Sequence, residues 1–159
     1  MCSETRPNAK PENVMRHVRH TQTIMEQKEF TNHIITRIID RFPEFKDFCT
    51  RKPNDIIDID FKSKKSKLTL WLTTQDKEIT LGFAGDKDCD WHTHMSLFGA
   101  KTPDEELQVA INLIDSIIND KEQIIHSTEL GYFITDDIDD INKYKHPNEN
   151  IETFYWSEL

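Results

Sequence analysis

Three consecutive segments between residues 55 and 83 alternate between apolar and polar side chains. In 55–61, 67–74 and 77–83 an apolar residue recurs at every second position. The apolar set is Ile57, Ile59, Phe61, Leu68, Leu70, Leu72, Ile79, Leu81 and Phe83. A two-residue period places such side chains on one face of a strand, so each segment is expected to be half-buried. The pattern, with short polar connectors, predicts a three-stranded antiparallel meander. A fourth short strand is predicted over 89–95.

Two stretches have the three- and four-residue spacing of an amphipathic helix. Residues 30–42 carry Phe and Ile at these steps. Pro43 predicts the end of that helix, because proline disfavours the helical region for the residue before it. The second helix is predicted over about 103–120, with a single apolar stripe. Thr102 is positioned to cap it, and Glu105 completes a capping box with Thr102.

The remaining elements rest on weaker signals. Residues 1–10 are expected to form a loose terminus, and a further helix is predicted from Pro11. Short strands are predicted over 123–127, 131–135 and 151–155. The sequence therefore predicts an α+β fold: an antiparallel meander sheet with two N-terminal helices and one central helix packed on one face. A length of 159 residues suits a single domain, which we assign to residues 11–159.

Charge is distributed unevenly along the chain. Residues 1–67 hold 14 Lys and Arg against 10 Asp and Glu, whereas residues 68–159 hold 6 against 19. The net charge of −9 therefore comes from the second part of the chain. An acidic surface repels nucleic acid and attracts basic proteins. The sequence accordingly predicts a basic protein partner and no direct nucleic-acid binding, although the N-terminal excess of Lys and Arg leaves a local basic patch open.

Aspartates are concentrated in two short segments. The larger group is Asp136, Asp137, Asp139 and Asp140, and the smaller group is Asp86 and Asp88. Tyr and Trp residues also occur in the C-terminal third of the chain, near the larger group. Protein interfaces often place aromatic anchors among charged residues. Two interpretations stand: a solvated loop, or a docking surface for a basic protein. We take these six aspartates as the predicted partner contacts.

A short segment reads Asp90-Trp91-His92-Thr93-His94. On a strand, alternate residues share a face, so Asp90, His92 and His94 are expected to project together, opposite Trp91. Two imidazoles and a carboxylate are a donor set that zinc accepts. Three interpretations remain open: a polar face turned to water, a contact with a partner, or a metal site.

The same segment resembles part of the JAMM-type metalloprotease pattern. In that family a His-Ser/Thr-His-Pro strand precedes a Ser and an acidic residue that open a helix. His92 and His94 match the histidines, whereas Met replaces Pro, Thr102 replaces Ser and Glu105 replaces Asp. The resemblance implies a zinc-dependent hydrolase with His92, His94 and Glu105 as metal ligands. Glu78 is the nearest strand candidate for the carboxylate that activates water. A capping box explains Thr102 and Glu105 without a metal.

A longer stretch resembles small bacterial immunity proteins of polymorphic and contact-dependent toxin systems. Its parts are the strand 79–83, the segment 90–94, the helix 104–118 and the strand that begins at 123–125. The resemblance implies a non-catalytic protein that binds one cognate toxin and blocks it inside the producing cell. Many such toxins are nucleases with basic clefts. An acidic inhibitor would then mimic or occlude the path of the nucleic acid.

The last features bear on compartment and cofactors. Cys2, Cys49 and Cys89 are odd in number and lack metal-like spacing, which disfavours a disulfide framework. No apolar run approaches the ~18 residues that span a bilayer, and the first residues lack the apolar core of a signal peptide. We therefore expect a cytoplasmic protein with no cofactor and no membrane partner. The oligomeric state stays open.

Overall fold

The structure, a computed structural model, describes residues 25–85, 91–135 and 145–159, together with positions 139, 141 and 143. In this part of the chain two α-helices, α1 (Gln27–Arg41) and α2 (Pro103–Ile118), combine with antiparallel strands, which confirms the predicted α+β class. The strands are β1 (Cys49–Arg51), β2 (Ile57–Lys62), β3 (Thr69–Thr73), β4 (Thr80–Ala84), β5 (Trp91–His94), β6 (Ile124–Ser127), β7 (Gly131–Phe133) and β8 (Ile151–Phe154). The predicted loose terminus and the helix predicted from Pro11 lie outside the described residues.

The first sheet is the predicted meander with one additional strand. Its order is β1-β2-β3-β4-β5, and all neighbouring strands are antiparallel. The additional strand is β1, an edge strand that the sequence patterns do not predict and that pairs with β2. Asn54 and Asp55 adopt left-handed φ values of 60° and 59°. This turn reverses the chain directly after a proline, which makes the additional pairing sterically possible.

Both helices pack their apolar stripes against one face of this sheet. From α1 the buried side chains include Phe30, Ile34 and Ile38, and from α2 they include Leu107 and Ile114. All belong to one core cluster that also contains the apolar side chains of the meander. No helix in the described parts of the chain is long and apolar enough to cross a membrane.

The start of α2 confirms the predicted cap in part. Thr102 Oγ1 accepts a hydrogen bond from the N–H of Glu105 at 3.3 Å. The Glu105 carboxylate does not return to Thr102. It accepts the N–H of Lys101 at 2.7 Å, one residue earlier. The helix therefore has the cap that the sequence predicts, with the reciprocal bond shifted by one residue.

The last strands form a second, smaller sheet, whereas the sequence was interpreted as one sheet. Its order is β7-β6-β8, with β6 in the centre and antiparallel to both neighbours. Ile124 and Ile125 are adjacent in β6 and both fully buried, so this strand is covered on both faces. Alternation identifies a strand but not its partner, and β6 satisfies its backbone hydrogen bonds inside the small sheet.

Candidate functional site

The side chains of the first sheet that point away from the helices form two cross-strand rows. The rows are Asp58, Thr73, Thr80 and His94, and Asp60, Trp71, Gly82 and His92. We call this surface the outward face. Among the described residues both helices pack on the opposite face, where the side chains belong to the core. The polar and aromatic groups of the outward face are therefore not required to fill the core.

Trp71 is the largest side chain of the outward face, and its position depends on Gly82, which is opposite it on β4. A Cβ atom added to Gly82 would lie 2.4 Å from Trp71 Cζ2 and 2.6 Å from Trp71 Cε2. The indole therefore crosses over the glycine, in space that any other side chain would occupy. The ring centroids of Trp71 and His92 are 6.2 Å apart. The glycine thus allows the indole to lie against the sheet beside the histidines.

His92 and His94 lie side by side, with ring centroids 5.6 Å apart and planes at 83°. His94 Nδ1 is 3.1 Å from Thr80 Oγ1 and 3.1 Å from Glu78 Oε2. The other carboxylate oxygen of Glu78 accepts a hydrogen bond from Ser96 Oγ at 2.6 Å. These contacts fix the orientation of Glu78 and His94, while the Glu78 side chain keeps 31% of its surface exposed.

These side chains border a cleft of about 270 Å³ near the turn from β3 to β4. Its lining consists of Trp71, Thr73, Gln75, Asp76, Glu78, Thr80, His92 and His94. Asp76 and Glu78 supply its carboxylates, and Lys77 of the same turn is not among the lining residues. Asp58, further along the outward face, forms an ion pair with Lys52. The cleft thus combines two carboxylates with an aromatic wall.

A further carboxylate, Glu106 of α2, links the helix to this end of the sheet. Its Oε2 atom accepts the N–H of Ile79 at 2.9 Å. Burial raises the pKa of Glu106, the hydrogen bond from Ile79 opposes this effect, and the charge of Glu78 adds to it. His94 acts in the opposite direction to Glu78. The first turn of α2 is therefore electrostatically coupled to the cleft.

A buried polar network holds the turn that carries Asp76. Thr74 Oγ1 lies 2.9 Å from Thr31 Oγ1 and 3.0 Å from the backbone N of Ile57. Gln27 Nε2 donates to the carbonyl of Thr74 at 2.6 Å, and Gln27 Oε1 accepts the N–H of Lys77 at 3.0 Å. The first turn of α1 thereby holds both ends of the turn.

This support compensates for backbone strain within the turn. Asp76 and Lys77 adopt left-handed φ values of 58° and 59°. Such values cost about 1–2 kcal/mol for a residue with a side chain. The contacts from α1 keep the turn in this conformation and so place the Asp76 carboxylate at the rim of the cleft.

The structure places some of the predicted site residues and leaves others outside its described range. His92 and His94 share the outward face, as the alternation predicts, and Trp91 packs against the core cluster. Asp139 is exposed. The other predicted partner contacts lie outside the described residues, and so does Asp90, which was expected to share a face with His92 and His94. These partner contacts are Asp86, Asp88, Asp136, Asp137 and Asp140.

The alternative ligand set His92, His94 and Glu105 is not brought together. The Glu105 carboxylate binds the backbone of Lys101, and Glu105 does not line the cleft. In the described part of the chain no three His, Cys, Asp or Glu side chains are grouped so that they could hold a metal ion. The carboxylate that accompanies His94 is Glu78, which the sequence analysis considered only as a base for metal-bound water.

Sequence reasoning missed Trp71 and Asp76 as site residues. The signal for Trp71 was present, because it occupies a polar-face position between the buried Leu70 and Leu72. A large aromatic at such a position, with a glycine in the next strand, indicates a surface aromatic that packs over the glycine. The Asp76 position depends on contacts with α1, which no local pattern shows.

No protein-family model, curated protein or solved structure matches the chain.

Proposed function

We propose that this chain is a non-catalytic immunity protein that binds a basic toxin domain and neutralises it in the cytoplasm of the producing cell. The observation that carries the proposal is the outward face, where Trp71, His92 and His94 lie beside Asp76 and Glu78. Aromatic anchors surrounded by charged groups concentrate the binding energy of many protein interfaces. A nuclease is the preferred toxin class, because its substrate-binding cleft has the opposite charge.

The charge distribution supports the same partner. Residues 68–159 carry 19 Asp and Glu against 6 Lys and Arg, and this region supplies β4, β5 and the carboxylates of the cleft. Carboxylates at an interface steer a basic partner and accelerate its association. Since screening shortens the range of this attraction, the association rate is expected to fall as salt concentration rises.

The direct test is a rescue of toxicity. The C-terminal domain encoded by the reading frame immediately upstream of this gene is expressed in a test bacterium, alone or with this protein. The proposal predicts death without the protein, survival with it, and a stable complex in size-exclusion chromatography. A harmless domain, or one that kills regardless of this protein, contradicts the proposal.

Paired variants connect the rescue to the outward face. Trp71→Leu combined with Glu78→Gln removes an aromatic and one charge from the cleft. Tyr155→Leu combined with Glu44→Gln also removes one aromatic and one charge, at exposed residues that do not line the cleft. We expect the first pair to lose rescue and the second to retain it. Equal rescue by both folded proteins would place the interface elsewhere.

The aspartate groups remain a second proposed contact region. Reversing the charge of Asp136, Asp137, Asp139 and Asp140 to Lys should weaken toxin binding without unfolding the chain, because Asp139 is exposed and the segment is strongly acidic. Calorimetric titration and thermal unfolding measure the two properties separately. An unchanged affinity would exclude this group as a contact region for the toxin. The same test applies to Asp86 and Asp88.

A zinc-dependent hydrolase is the second candidate function. It is favoured by the neighbouring rings of His92 and His94 on an accessible face. The third predicted ligand, Glu105, is engaged by the Lys101 backbone and would have to move. The metal content of protein purified without chelators tests whether the chain is a zinc-dependent hydrolase. About one equivalent of zinc, lost in His92→Ala, would support the hydrolase.

A further inference from the structure

We infer that the cleft bordered by Trp71 and Glu78 binds one arginine side chain of the protein partner. This inference rests on the proposed function and names the chemical group that the site receives. The cleft volume of about 270 Å³ lies just below the ≈ 300–1,000 Å³ typical of small-molecule pockets. That size suits one long side chain better than a separate ligand.

The indole provides a surface on which a planar cation can stack. One part of the Trp71 ring passes over Gly82, so the sheet covers it there, and the same residue lines the cleft. A guanidinium over a tryptophan face is held by electrostatic attraction to the π-system within about 6 Å. Arginine makes this contact more often than lysine, because its charged group is flat and weakly hydrated.

The carboxylates supply acceptors for the guanidinium N–H groups. Glu78 accepts one bond from Ser96 and pairs with His94. A carboxylate offers about four lone-pair positions, so it has capacity for a further donor. Asp76 lies on the rim, where its Oδ2 atom accepts a hydrogen bond from the side-chain amide of Gln75 at 3.3 Å. Thr73 and Gln75 add neutral oxygens to the lining.

The arrangement of these groups favours arginine over lysine. Five donors in a fixed fork suit two carboxylates that line the same cleft, and the flat shape of the group suits stacking on an indole. An ammonium is a point charge that keeps its hydration and gains little from the aromatic wall. The same carboxylates repel an acidic partner, so the cleft also selects against negatively charged side chains.

The test is a titration of the full chain, followed by amide and indole N–H resonances in NMR spectra. The probes are the N-acetyl, N-methylamide derivatives of arginine, lysine and citrulline, the last being a neutral near-isostere of arginine. We expect saturable shifts at the Trp71 indole and at the amides of Gly82 and His92 with arginine. The citrulline derivative should bind roughly tenfold more weakly.

Two variants of equal charge change provide the control. Glu78→Gln keeps the shape of the side chain and should weaken arginine binding several-fold. Glu44→Gln removes one charge outside the cleft and should leave the affinity unchanged. Absence of saturable shifts, or equal binding of arginine and citrulline, would overturn the inference. Equal binding of arginine and lysine would also overturn it, because it would indicate a general cation site.

The arginine titration and the toxicity rescue can each fail without the other. The titration requires no toxin, and the toxicity rescue requires no arginine derivative. Arginine binding without rescue would support the arginine site in the cleft and exclude the toxin domain as the partner. Rescue without arginine binding would support the toxin domain as the partner and exclude the arginine site.

Discussion

The two faces of the first sheet are built from alternate residues of the same strands, yet they differ in what determines their side chains. On the inner face Ile59, Leu81 and Phe83 are completely buried and packed against the helices. On the outward face Trp71 crosses over Gly82, beside His92 and the carboxylates, and no residue of either described helix lines the cleft. Folding requires the first set. It does not require an indole, two imidazoles and two carboxylates on the second face.

This difference shows where function is to be sought in the chain. Inner-face residues are interchangeable with other apolar residues of similar volume, because their contribution is burial. The side chains that line the cleft on the outward face are specific in chemistry, and none of them belongs to the apolar core. Substitutions on the inner face should therefore change stability and leave binding per folded molecule intact, and substitutions on the outward face should do the opposite. Single substitutions on each face can therefore separate stability from binding.

Phe83→Ala should produce the largest loss of stability. Phe83 is fully buried, in ring contact with Trp91 at 5.1 Å between centroids. Removing a buried phenyl ring typically costs about 3–5 kcal/mol of unfolding free energy, because a cavity remains. Urea unfolding followed by circular dichroism measures the change. A loss below about 1 kcal/mol would show that the inner face is not the main source of stability.

Gly82→Ala should affect both properties, because Gly82 lies under the indole of the outward face and close to the backbone of β5. Its added Cβ would approach Trp71 Cζ2 to 2.4 Å and the carbonyl oxygen of Trp91 to 2.5 Å. The strain should cost about 1–3 kcal/mol and displace the indole from the sheet. Unfolding and partner affinity should both fall. An alanine variant with unchanged affinity would show that the indole position does not matter for binding.

Trp71→Leu should separate the two properties. The indole is half-buried and lies on the outward face, so we expect a stability loss of about 1 kcal/mol or less. Affinity for the partner should fall strongly, because hot-spot tryptophans typically contribute about 2 kcal/mol or more. The same urea titration and a binding titration measure both. A large stability loss with normal binding would assign Trp71 to the core.

Glu106→Gln should change only the pH dependence of stability. Burial raises the pKa of Glu106 above its usual value of 4.5, so the folded chain binds this proton more tightly than the unfolded chain. Folding stability should therefore fall as pH rises from 4.5 through the raised pKa. Glutamine keeps an acceptor for the Ile79 N–H and removes the titration, so the fall should be smaller. An identical pH profile would contradict this cause.

Much of the fold could be predicted from local patterns, and the failures have physical reasons. The alternation in 55–83 and the stripe of α2 identified the meander and a helix, because burial on one face imposes a period. The same patterns did not reveal the second sheet, since they say nothing of which strand pairs with β6. The strand β1 was missed because it directly follows a short apolar segment. It is also followed by a turn in which Asn54 and Asp55 adopt left-handed φ values.

The candidate site was only partly predictable for a related reason. The shared face of His92 and His94 follows from strand geometry alone. Glu78 and Asp76 reach the same site because α1 holds the turn that carries them. This support includes a hydrogen bond between Gln27 and Lys77, which are 50 residues apart in the chain. The expected third ligand, Glu105, was assigned by analogy in spacing, and a local backbone bond to Lys101 takes its carboxylate instead. Long-range contacts of this kind leave no periodic signal.

The most direct measurement is the affinity of the upstream-encoded toxin domain for two folded variants, Trp71→Leu on the outward face and Tyr155→Leu outside the cleft. Both replace a partly exposed aromatic with leucine. If the outward face is the interface, the first variant should bind about 30-fold more weakly than the unmodified chain, and the second should bind equally well. Equal affinities for the two variants would contradict the central claim that the outward face recognises the partner.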